Sequence, residues 1–382
     1  MRSVDLVKAS HESRLDMLSV RFRGVGAAMI GSSDAVGEIS TPPRLGAVAD
    51  LAPVRDRNRP VWLVLSEDGT ISRWDVAAGS HLTVGVTTVP AEPDREPWNG
   101  RLLRRRLHVS HDGMFAAVVN DYGRFGEVVD LRTGEVTLVL DNQGDEEETV
   151  PFSLEFARSR GRCVVIHRTD WNRLDVSDAQ TGVLLTDRSL PTPADAEAVP
   201  EHDLDYFHGA LYVSPDGKRI LDDGWIWHPI GIPAVWDLDQ WIEGNVWESE
   251  DGPSRVGLCD RADYWDHGMT WIDSTRVAVE GLGDHDVAMR PGARIFDTSR
   301  TGRSEPPRNP TAVELLAFEG PTGRFFSDGT HLFSCGDTDL SIWDPAEGKL
   351  LGAVPGFSPA HYHPGAQQFL QLADSVVRLW TA

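Results

Sequence analysis

Residues 340–344 read Leu340–Ser–Ile–Trp–Asp344, a short apolar run that ends in a tryptophan and an aspartate and is followed by a glycine-containing turn. The same arrangement recurs along the chain, as an apolar or β-branched run that ends in an aromatic or apolar residue, often before Asp. Such runs predict strands, and amphipathic helical periodicity is scarce. The repetition predicts an all-β protein built from repeats. The other six copies are Ile71–Asp75, Glu127–Asp130, Asn172–Asp175, Ala234–Asp237, Arg294–Asp297 and Val376–Trp380.

A second repeated element precedes several of these copies. It is a strand, a turn with Asp-Gly and another strand, as at His108–Gly113, Leu211–Gly217 and Phe326–Gly329. An Asp-Gly turn between two apolar runs is a strong hairpin signal. The two elements together predict antiparallel sheets of consecutive strands.

These marks resemble the WD-repeat β-propeller family, of which the chain looks like a divergent, bacterial-type member. The Trp-Asp pairs at 74–75, 236–237 and 343–344 and the Ser-Pro-Asp-Gly turn at 214–217 carry the resemblance. The chain departs from the family in lacking the Gly-His dipeptide and in spacing, because some repeats carry long insertions. The resemblance implies a seven-bladed β-propeller of four-stranded antiparallel blades over residues 43–382.

Closure of the ring needs a strand from outside the repeats. The seventh copy of the repeated run ends at Trp380. The resemblance implies that this copy is the third strand of its blade. We therefore expect the N-terminal extension, residues 1–42, to supply the outer strand, from Asp16–Phe22 or Ala27–Ile30. A closed ring leaves no unpaired sheet edge at the junction.

The composition bounds the class of protein. The chain has 382 residues, 59 acidic and 36 basic side chains and a net charge of −23. Proteins bind nucleic acids and anionic membranes largely through basic side chains that neutralise phosphate groups. Because this chain is strongly acidic, neither nucleic acid nor an anionic membrane is expected as partner. No apolar run is long enough for a membrane-spanning helix, and the N-terminus lacks the continuous apolar segment of a secretory signal. Three scattered cysteines predict a reduced compartment. We expect a cytoplasmic monomer.

Several conspicuous residues have structural interpretations. The resemblance implies that Trp74, Trp236, Trp343 and Trp380 pack between neighbouring blades. An Asp that follows such a Trp is expected to bind backbone N–H groups of a turn. The basic run of Arg101 with Arg104–Arg106 is expected to be a solvated strand edge. No P-loop, dinucleotide fingerprint or similar motif occurs, so no cofactor is expected.

The long insertions fall on one face of the expected ring. Under the family's blade order, the loops around 201–208 and 222–231 of blade 4 and around 259–267 and 281–291 of blade 5 share that face, with contributions from blades 2 and 3. Residues 195–290 hold 21 acidic against 6 basic side chains, and seven tryptophans lie between 225 and 271. Loops on a rigid scaffold commonly carry function.

Three chemistries could use this face. His208, His228, His267 and His285 with neighbouring carboxylates could bind a divalent metal or act as general acid and base, which would make the protein a hydrolase or lyase. No nucleophile can be assigned, and the resemblance implies that His208 and His267 tie loops through His-to-Asp hydrogen bonds. An acidic rim with aromatic residues instead suits recognition of a cationic group.

We favour recognition over catalysis. The sequence predicts a non-catalytic binding or scaffold propeller that recognises a protein or cationic ligand through an acidic, aromatic-rich face of blades 2–5. The expected partner is a protein or peptide, and basic groups would suit it. No catalytic or metal-ligating residue is assigned. The predicted binding residues are Asp223, Trp225, Trp227, His228, Tyr264, Trp265, Asp266, Asp284, His285 and Asp286.

Overall fold

Thirty strands account for the secondary structure of the described chain almost entirely. The structure, a computed structural model, describes residues 35–55, 59–90, 100–141, 149–188, 202, 204–302, 310–373 and 376–382. The strands are β1 (Gly37–Ser40), β2 (Val48–Pro53), β3 (Val61–Ser66), β4 (Thr70–Asp75), β5 (Ser80–Val86), β6 (Arg104–Val109), β7 (Phe115–Asp121), β8 (Phe125–Asp130), β9 (Glu135–Asp141), β10 (Leu154–Ser159), β11 (Arg162–Asp170), β12 (Arg173–Asp178), β13 (Leu211–Val213), β14 (Arg219–Asp222), β15 (Trp225–Ile226), β16 (Ile230–Gly231), β17 (Ala234–Asp237), β18 (Val256–Gly257), β19 (Arg261–Ala262), β20 (Met269–Trp271), β21 (Arg276–Leu282), β22 (Arg290–Gly302), β23 (Thr311–Glu319), β24 (Arg324–Ser327), β25 (Leu332–Cys335), β26 (Leu340–Asp344), β27 (Lys349–Val354), β28 (His361–His363), β29 (Gln368–Ala373) and β30 (Val376–Thr381). Two short helices, α1 (Leu238–Glu243) and α2 (Glu248–Asp251), and a 3-10 turn at Pro43–Leu45 complete the elements of these ranges.

Consecutive strands pair antiparallel and form seven blades. Blade 1 is β2–β5, blade 2 is β6–β9, blade 3 is β10–β12, blade 4 is β13, β14, β17 and β18, blade 5 is β20–β23, blade 6 is β24–β27, and blade 7 is β28–β30 with β1. The first strands of neighbouring blades contact each other and therefore line the centre of the ring. The fold is the seven-bladed β-propeller that the sequence predicts.

An N-terminal strand closes the ring. β1 pairs antiparallel with β30, from Gly37 opposite Leu379 to Ser40 opposite Val376. Ile39 packs against the apolar cluster between blades 7 and 1. The closure is thus confirmed, and the closing strand is residues 37–40; Asp16–Phe22 and Ala27–Ile30 lie outside the described residues.

The repeated tryptophans seal the joints between blades, as predicted. Trp74 is 1% exposed and shares an apolar cluster with Leu370 and Val377 of the preceding blade. Trp236, Trp343 and Trp380 are buried in the same way against blades 3, 5 and 6. Asp75 Oδ1 accepts a hydrogen bond from the Ala78 amide at 2.9 Å, so the carboxylate holds the turn.

Blade 3 departs from the regular pattern. Its outer position is taken by an irregular segment, in which the Thr186 hydroxyl accepts from the Val176 amide at 3.0 Å and Arg188 donates to the Leu174 carbonyl at 2.7 Å. Side chains here replace part of a backbone ladder. The turn-capping aspartate of this blade is Asp178, which accepts from the Thr181 amide at 2.9 Å. Asp175, the residue marked by the sequence pattern, is instead buried.

Blades 4 and 5 form one continuous sheet. The outermost strands β18 and β23 pair in parallel at Gly257 and Thr311, and the Gly257 amide donates to the Pro310 carbonyl at 3.0 Å. Eight strands therefore lie in one sheet beneath the insertion-rich face.

Deleting residues 1–40 should destabilise the whole ring. Loss of β1 exposes the edge of β30 and removes Ile39 from its cluster, for a loss of about 3 kcal/mol or more in the free energy of unfolding. Urea unfolding measures the change, and a chain that lacks only residues 1–34 serves as the control because it keeps β1. Equal unfolding midpoints for the two truncated chains would contradict closure by β1.

Candidate functional site

The insertions of blades 4 and 5 fold into a small sheet of their own. β15 and β16 form a hairpin within the connection between β14 and β17, and β16 pairs with β19 of the connection that leads into blade 5. Segments predicted to be loops are therefore held in register by backbone hydrogen bonds. This three-stranded sheet is the platform on which the candidate site lies.

Beneath the platform lies a stack of three aromatic rings. Phe207 and Trp265 stack on opposite sides of the Trp225 indole, each with ring centroids 4.5 Å apart. The Trp265 indole N–H donates to the Thr149 carbonyl at 2.9 Å. Trp171 of blade 3 packs on Phe207 at 4.9 Å. The stack, with Val150 close by, is a local core that joins loops of blades 3, 4 and 5.

Trp227 is the member of this cluster that reaches solvent. It lies in the turn between β15 and β16 and is 51% exposed. Its ring meets Trp225 and Phe207 edge-on, with centroids 5.3 and 5.5 Å apart. One part of the indole is thus fixed by the buried stack, and the remainder is presented on the surface beside the exposed His228.

A buried ion pair fixes the platform to the ring. Asp223, 1% exposed, accepts a hydrogen bond from the Arg261 guanidinium, and its second oxygen accepts from the Asp266 amide at 3.0 Å. Burial raises the pKa of Asp223 to about 6, and the Arg261 charge opposes that rise. Removing either partner would leave an uncompensated charge in the interior.

Asp266 joins this platform to blade 2. Its carboxylate accepts from the Tyr122 hydroxyl at 2.6 Å and from Arg101 Nε at 3.0 Å. The Arg101 guanidinium also lies 5.6 Å from the centre of the Trp265 ring. Arg101 was expected on a solvated strand edge, and this expectation is wrong: its side chain is 16% exposed and bridges two loops of the site.

His208 and His267 occupy matching positions with different partners. His208 Nδ1 lies 2.6 Å from Asp222 Oδ2, and both groups are buried, which confirms the His-to-Asp tie. His267 stacks on Tyr264 with ring centroids 3.5 Å apart. Its nearest carboxylate is Glu280, at 4.0 Å from Nδ1, so the expected aspartate tie is wrong for His267.

Glu280 accepts hydrogen bonds from the Tyr264 side chain and from a backbone amide. The Tyr264 hydroxyl donates to Glu280 Oε1 at 3.1 Å, and the Gly268 amide donates to Oε2 at 2.8 Å. The Gly209 amide donates to Asp222 Oδ1 at 2.9 Å in the matching place of blade 4. A carboxylate therefore anchors the entry to the first strand in both blades.

The connection between β21 and β22 is exposed and acidic. Asp284, His285, Asp286 and Val287 all face solvent, and Val287 is 51% exposed. His285 bridges two carboxylates, with Nε2 at 3.1 Å from Asp286 Oδ2 and Nδ1 at 3.6 Å from Asp260 Oδ2. This segment adds negative charge and apolar surface to the face that carries Trp227.

Burial divides the ten predicted binding residues into three groups. Four are internal or ion-paired supports, so direct contact with a partner, as predicted for them, does not fit their placement: Asp223, Trp225, Trp265 and Asp266. Tyr264 is partly buried against His267. The remaining five lie at the surface: Trp227, His228, Asp284, His285 and Asp286.

The described residues do not assemble the alternative metal-dependent site. Within them, no three His, Cys, Asp or Glu side chains are placed to hold one ion. Two open cavities, of about 410 and 330 Å³, lie along blade 5 and near Leu351 of blade 6, and none of the ten predicted residues lines either. The candidate site is an exposed face.

Solved structures share this fold. A chain of the crystal structure of the mitotic checkpoint complex superposes with a TM-score of 0.53 at 12% identity, over 100% of this chain and 99% of that one. The β-propeller domain of Cps50 (Swd1) from Myceliophteria thermophila matches with a TM-score of 0.53 at 13% identity, over 91% and 98%. No family model and no curated protein matches the chain. The likeness supports the β-propeller fold.

Neither helix of the described ranges could cross a bilayer, since both are too short for a membrane span.

Asp223→Asn should destabilise the protein by about 3–5 kcal/mol, because it leaves the buried Arg261 guanidinium without its counter-charge. Urea unfolding at pH 7 measures the loss. Asp286→Asn, at an exposed carboxylate, is the matched control and should stay within about 0.5 kcal/mol of wild type. Indistinguishable unfolding curves for the two variants would contradict the supporting role of Asp223.

His267 should contribute an acid-sensitive part of the stability. Burial, followed by the Arg261 and Arg101 charges, lowers its pKa to about 4, below the unfolded value of about 6.5. The folded state then binds fewer protons between these values, so the contribution is present above pH 6.5 and is lost as the pH falls toward 4. Glu280 and Tyr264 complete the surroundings of the ring.

Melting temperatures of wild type and His267→Gln between pH 7.5 and 4.5 test this expectation. The wild-type melting temperature should fall more steeply than that of His267→Gln, and the exposed-site variant His285→Gln serves as the control. Parallel curves for wild type and His267→Gln would refute the assignment.

Proposed function

We propose that the protein is a non-catalytic binding propeller that recognises a protein partner through the face of blades 2–5. The observation that carries this proposal is Trp227, a half-exposed indole whose inner edge is fixed by Trp225 and Phe207. Rigid aromatic anchors lose little conformational entropy on binding and commonly dominate interface energetics.

The partner surface contains Lys or Arg side chains. Asp284 and Asp286 are exposed near the platform, as is Asp263 in the turn after β19. A cation gains from carboxylates and from an indole face together. His228 and His285 add hydrogen-bonding groups at the rim, while the buried members of the predicted set hold the platform in shape.

The open form of this face favours a protein over a small ligand. Small molecules usually bind in concave sites that cover most of their surface, whereas Trp227 and Val287 project from the molecule. The three free cysteines, Cys163, Cys259 and Cys335, fit a reducing compartment, and we assign the protein to the cytoplasm as a monomer.

Trp227→Ala should reduce partner capture at least about 30-fold, as expected for a central interface tryptophan worth about 2 kcal/mol or more. The tagged protein is used to capture partners from a lysate of its own cells, and bound proteins are quantified by mass spectrometry. The double variant Asp284→Asn/Asp286→Asn should weaken capture and reduce its dependence on salt.

Leu82→Ala is the matched control, because Leu82 is a 66% exposed apolar residue on the outer strand β5. Its capture profile should equal that of wild type. If Trp227→Ala also captures the wild-type set at unchanged levels, with an unchanged melting temperature, the proposed face is wrong.

A further inference from the structure

The centre of the insertion-bearing face is basic. β6 and β24 are the first strands of blades 2 and 6 and therefore line the central channel. Arg104 is the first residue of β6, and Arg324 is the first residue of β24. The chain enters each first strand from the face that carries the insertions, so both residues lie at that mouth of the channel. The basic run at 104–106 is thus on an inner strand.

One buried carboxylate serves two of these arginines. Asp121 Oδ2 lies 3.3 Å from Arg106 Nη1 and 3.6 Å from Arg104 Nη2, and the Asp121 side chain is fully buried. Its other oxygen accepts from the Phe152 amide at 3.3 Å. A single negative charge is therefore divided between two guanidinium groups, and the Arg104 side chain remains 52% exposed.

The Arg324 side chain has neither a hydrogen bond nor an ion pair with any residue in the described part of the chain, although the Arg324 backbone pairs with Cys335 of β25. Arg324 is exposed at the mouth of the channel. Partial desolvation by neighbouring groups lowers the pKa of Arg324, and the like charges of Arg104 and Arg106 lower it further. An arginine that faces two like charges without a partner is unfavourable in the unliganded protein.

His361, on the first strand of blade 7, is affected by the same three arginines. Burial lowers the pKa of this β28 side chain, Asp50 opposes the change, and Arg324, Arg104 and Arg106 all add to it. His361 Nε2 lies 3.7 Å from Asp50 Oδ1. Three guanidinium groups therefore act on one region of the channel.

The carboxylates Asp50 and Asp121 near that region already have hydrogen-bond or ion-pair partners within the protein. Asp50 Oδ2 already accepts from the Leu107 amide at 2.8 Å, and Asp121 is shared as described. Positive charge is in excess, and the excess is centred on Arg324 and the exposed part of Arg104.

We propose that the mouth of the central channel binds an anion, a carboxylate or phosphate group, between Arg324 and Arg104. Guanidinium groups pair with both kinds of oxyanion in two-point geometry. Asp121, which also pairs with Arg106, holds Arg104 in position below the anion. This site is distinct from the surface around Trp227 and takes the opposite charge, so it goes beyond the proposed function.

Isothermal titration calorimetry on the full chain tests the site with inorganic phosphate and with succinate as separate probes. The ionic strength is held constant with sodium chloride. We expect saturable binding of at least one probe, weakened at least tenfold in Arg324→Gln and in Arg104→Gln. The probe that binds more tightly distinguishes a phosphate-bearing from a carboxylate-bearing ligand.

Arg300→Gln is the control, because Arg300 is an exposed arginine near the end of β22, away from the channel mouth. It should bind as wild type does. Absence of saturable binding to wild type for both probes, or equal affinity in Arg324→Gln, overturns the proposal.

Thermal stability separates a ligand-binding arginine from a structural one. Without phosphate or succinate, Arg324→Gln should melt at or above the wild-type temperature, because like-charge repulsion is relieved. The bound probe should raise the melting temperature of wild type and leave that of Arg324→Gln unchanged. A large loss of stability in unliganded Arg324→Gln would show a structural contact and would overturn the assignment.

Discussion

Closure of the ring through β1 and β30 is the constraint on which the other contacts depend. A propeller blade buries its faces only against the blades on either side, and blade 7 acquires its outer strand from residues 37–40. At the blade interfaces, the repeated tryptophans can then each pack between two complete sheets. Without that last strand, blade 7 would present an unpaired edge and the cluster around Trp74 would lose one of its walls.

The insertion-bearing face is built as a second layer on this ring. Its charged groups mostly serve internal purposes: Asp223 neutralises Arg261, Asp266 joins the platform to blade 2 through Arg101, and Asp222 and Glu280 anchor the entries to blades 4 and 5. Much of the acidity that the composition concentrates between residues 195 and 290 is therefore balanced within the structure. What remains exposed is an acidic rim outside and an arginine-lined mouth at the centre.

The repeat was predictable from the sequence because its signals are local. An apolar run, Trp-Asp and a turn occupy fewer than ten neighbouring residues, as at Leu340–Asp344, and their repetition identifies the blades. Because these local signals fix the order of the strands, they also placed the long insertions on one face of the ring. The family resemblance implied a His-to-Asp tie for both His208 and His267, and the structure supplies Asp222 as the partner of His208 only.

The roles of individual site residues could not be predicted in this way. Arg101 and Asp266 are separated by 165 positions, and no local pattern connects them. Trp225 and Trp227 are two residues apart in one insertion, yet one is buried in a ring stack and the other is half exposed. Strands of two residues, such as β15, β16 and β19, have no detectable periodicity. The outer segment of blade 3 was likewise unpredictable, because the Thr186 and Arg188 side chains replace backbone hydrogen bonds.

The parallel pairing of β18 with β23 has a mechanical consequence. Blades in a ring can fluctuate as separate sheets, but a shared outer edge couples the opening of blade 4 to that of blade 5. Both connections that build the platform emerge from this coupled pair. We therefore expect this coupling to limit changes in the separation between Trp227 and the acidic segment at 284–286 in the free protein. A partner at the proposed face would then meet a preformed surface of charged and apolar groups, and little of the binding free energy would be consumed in ordering that surface.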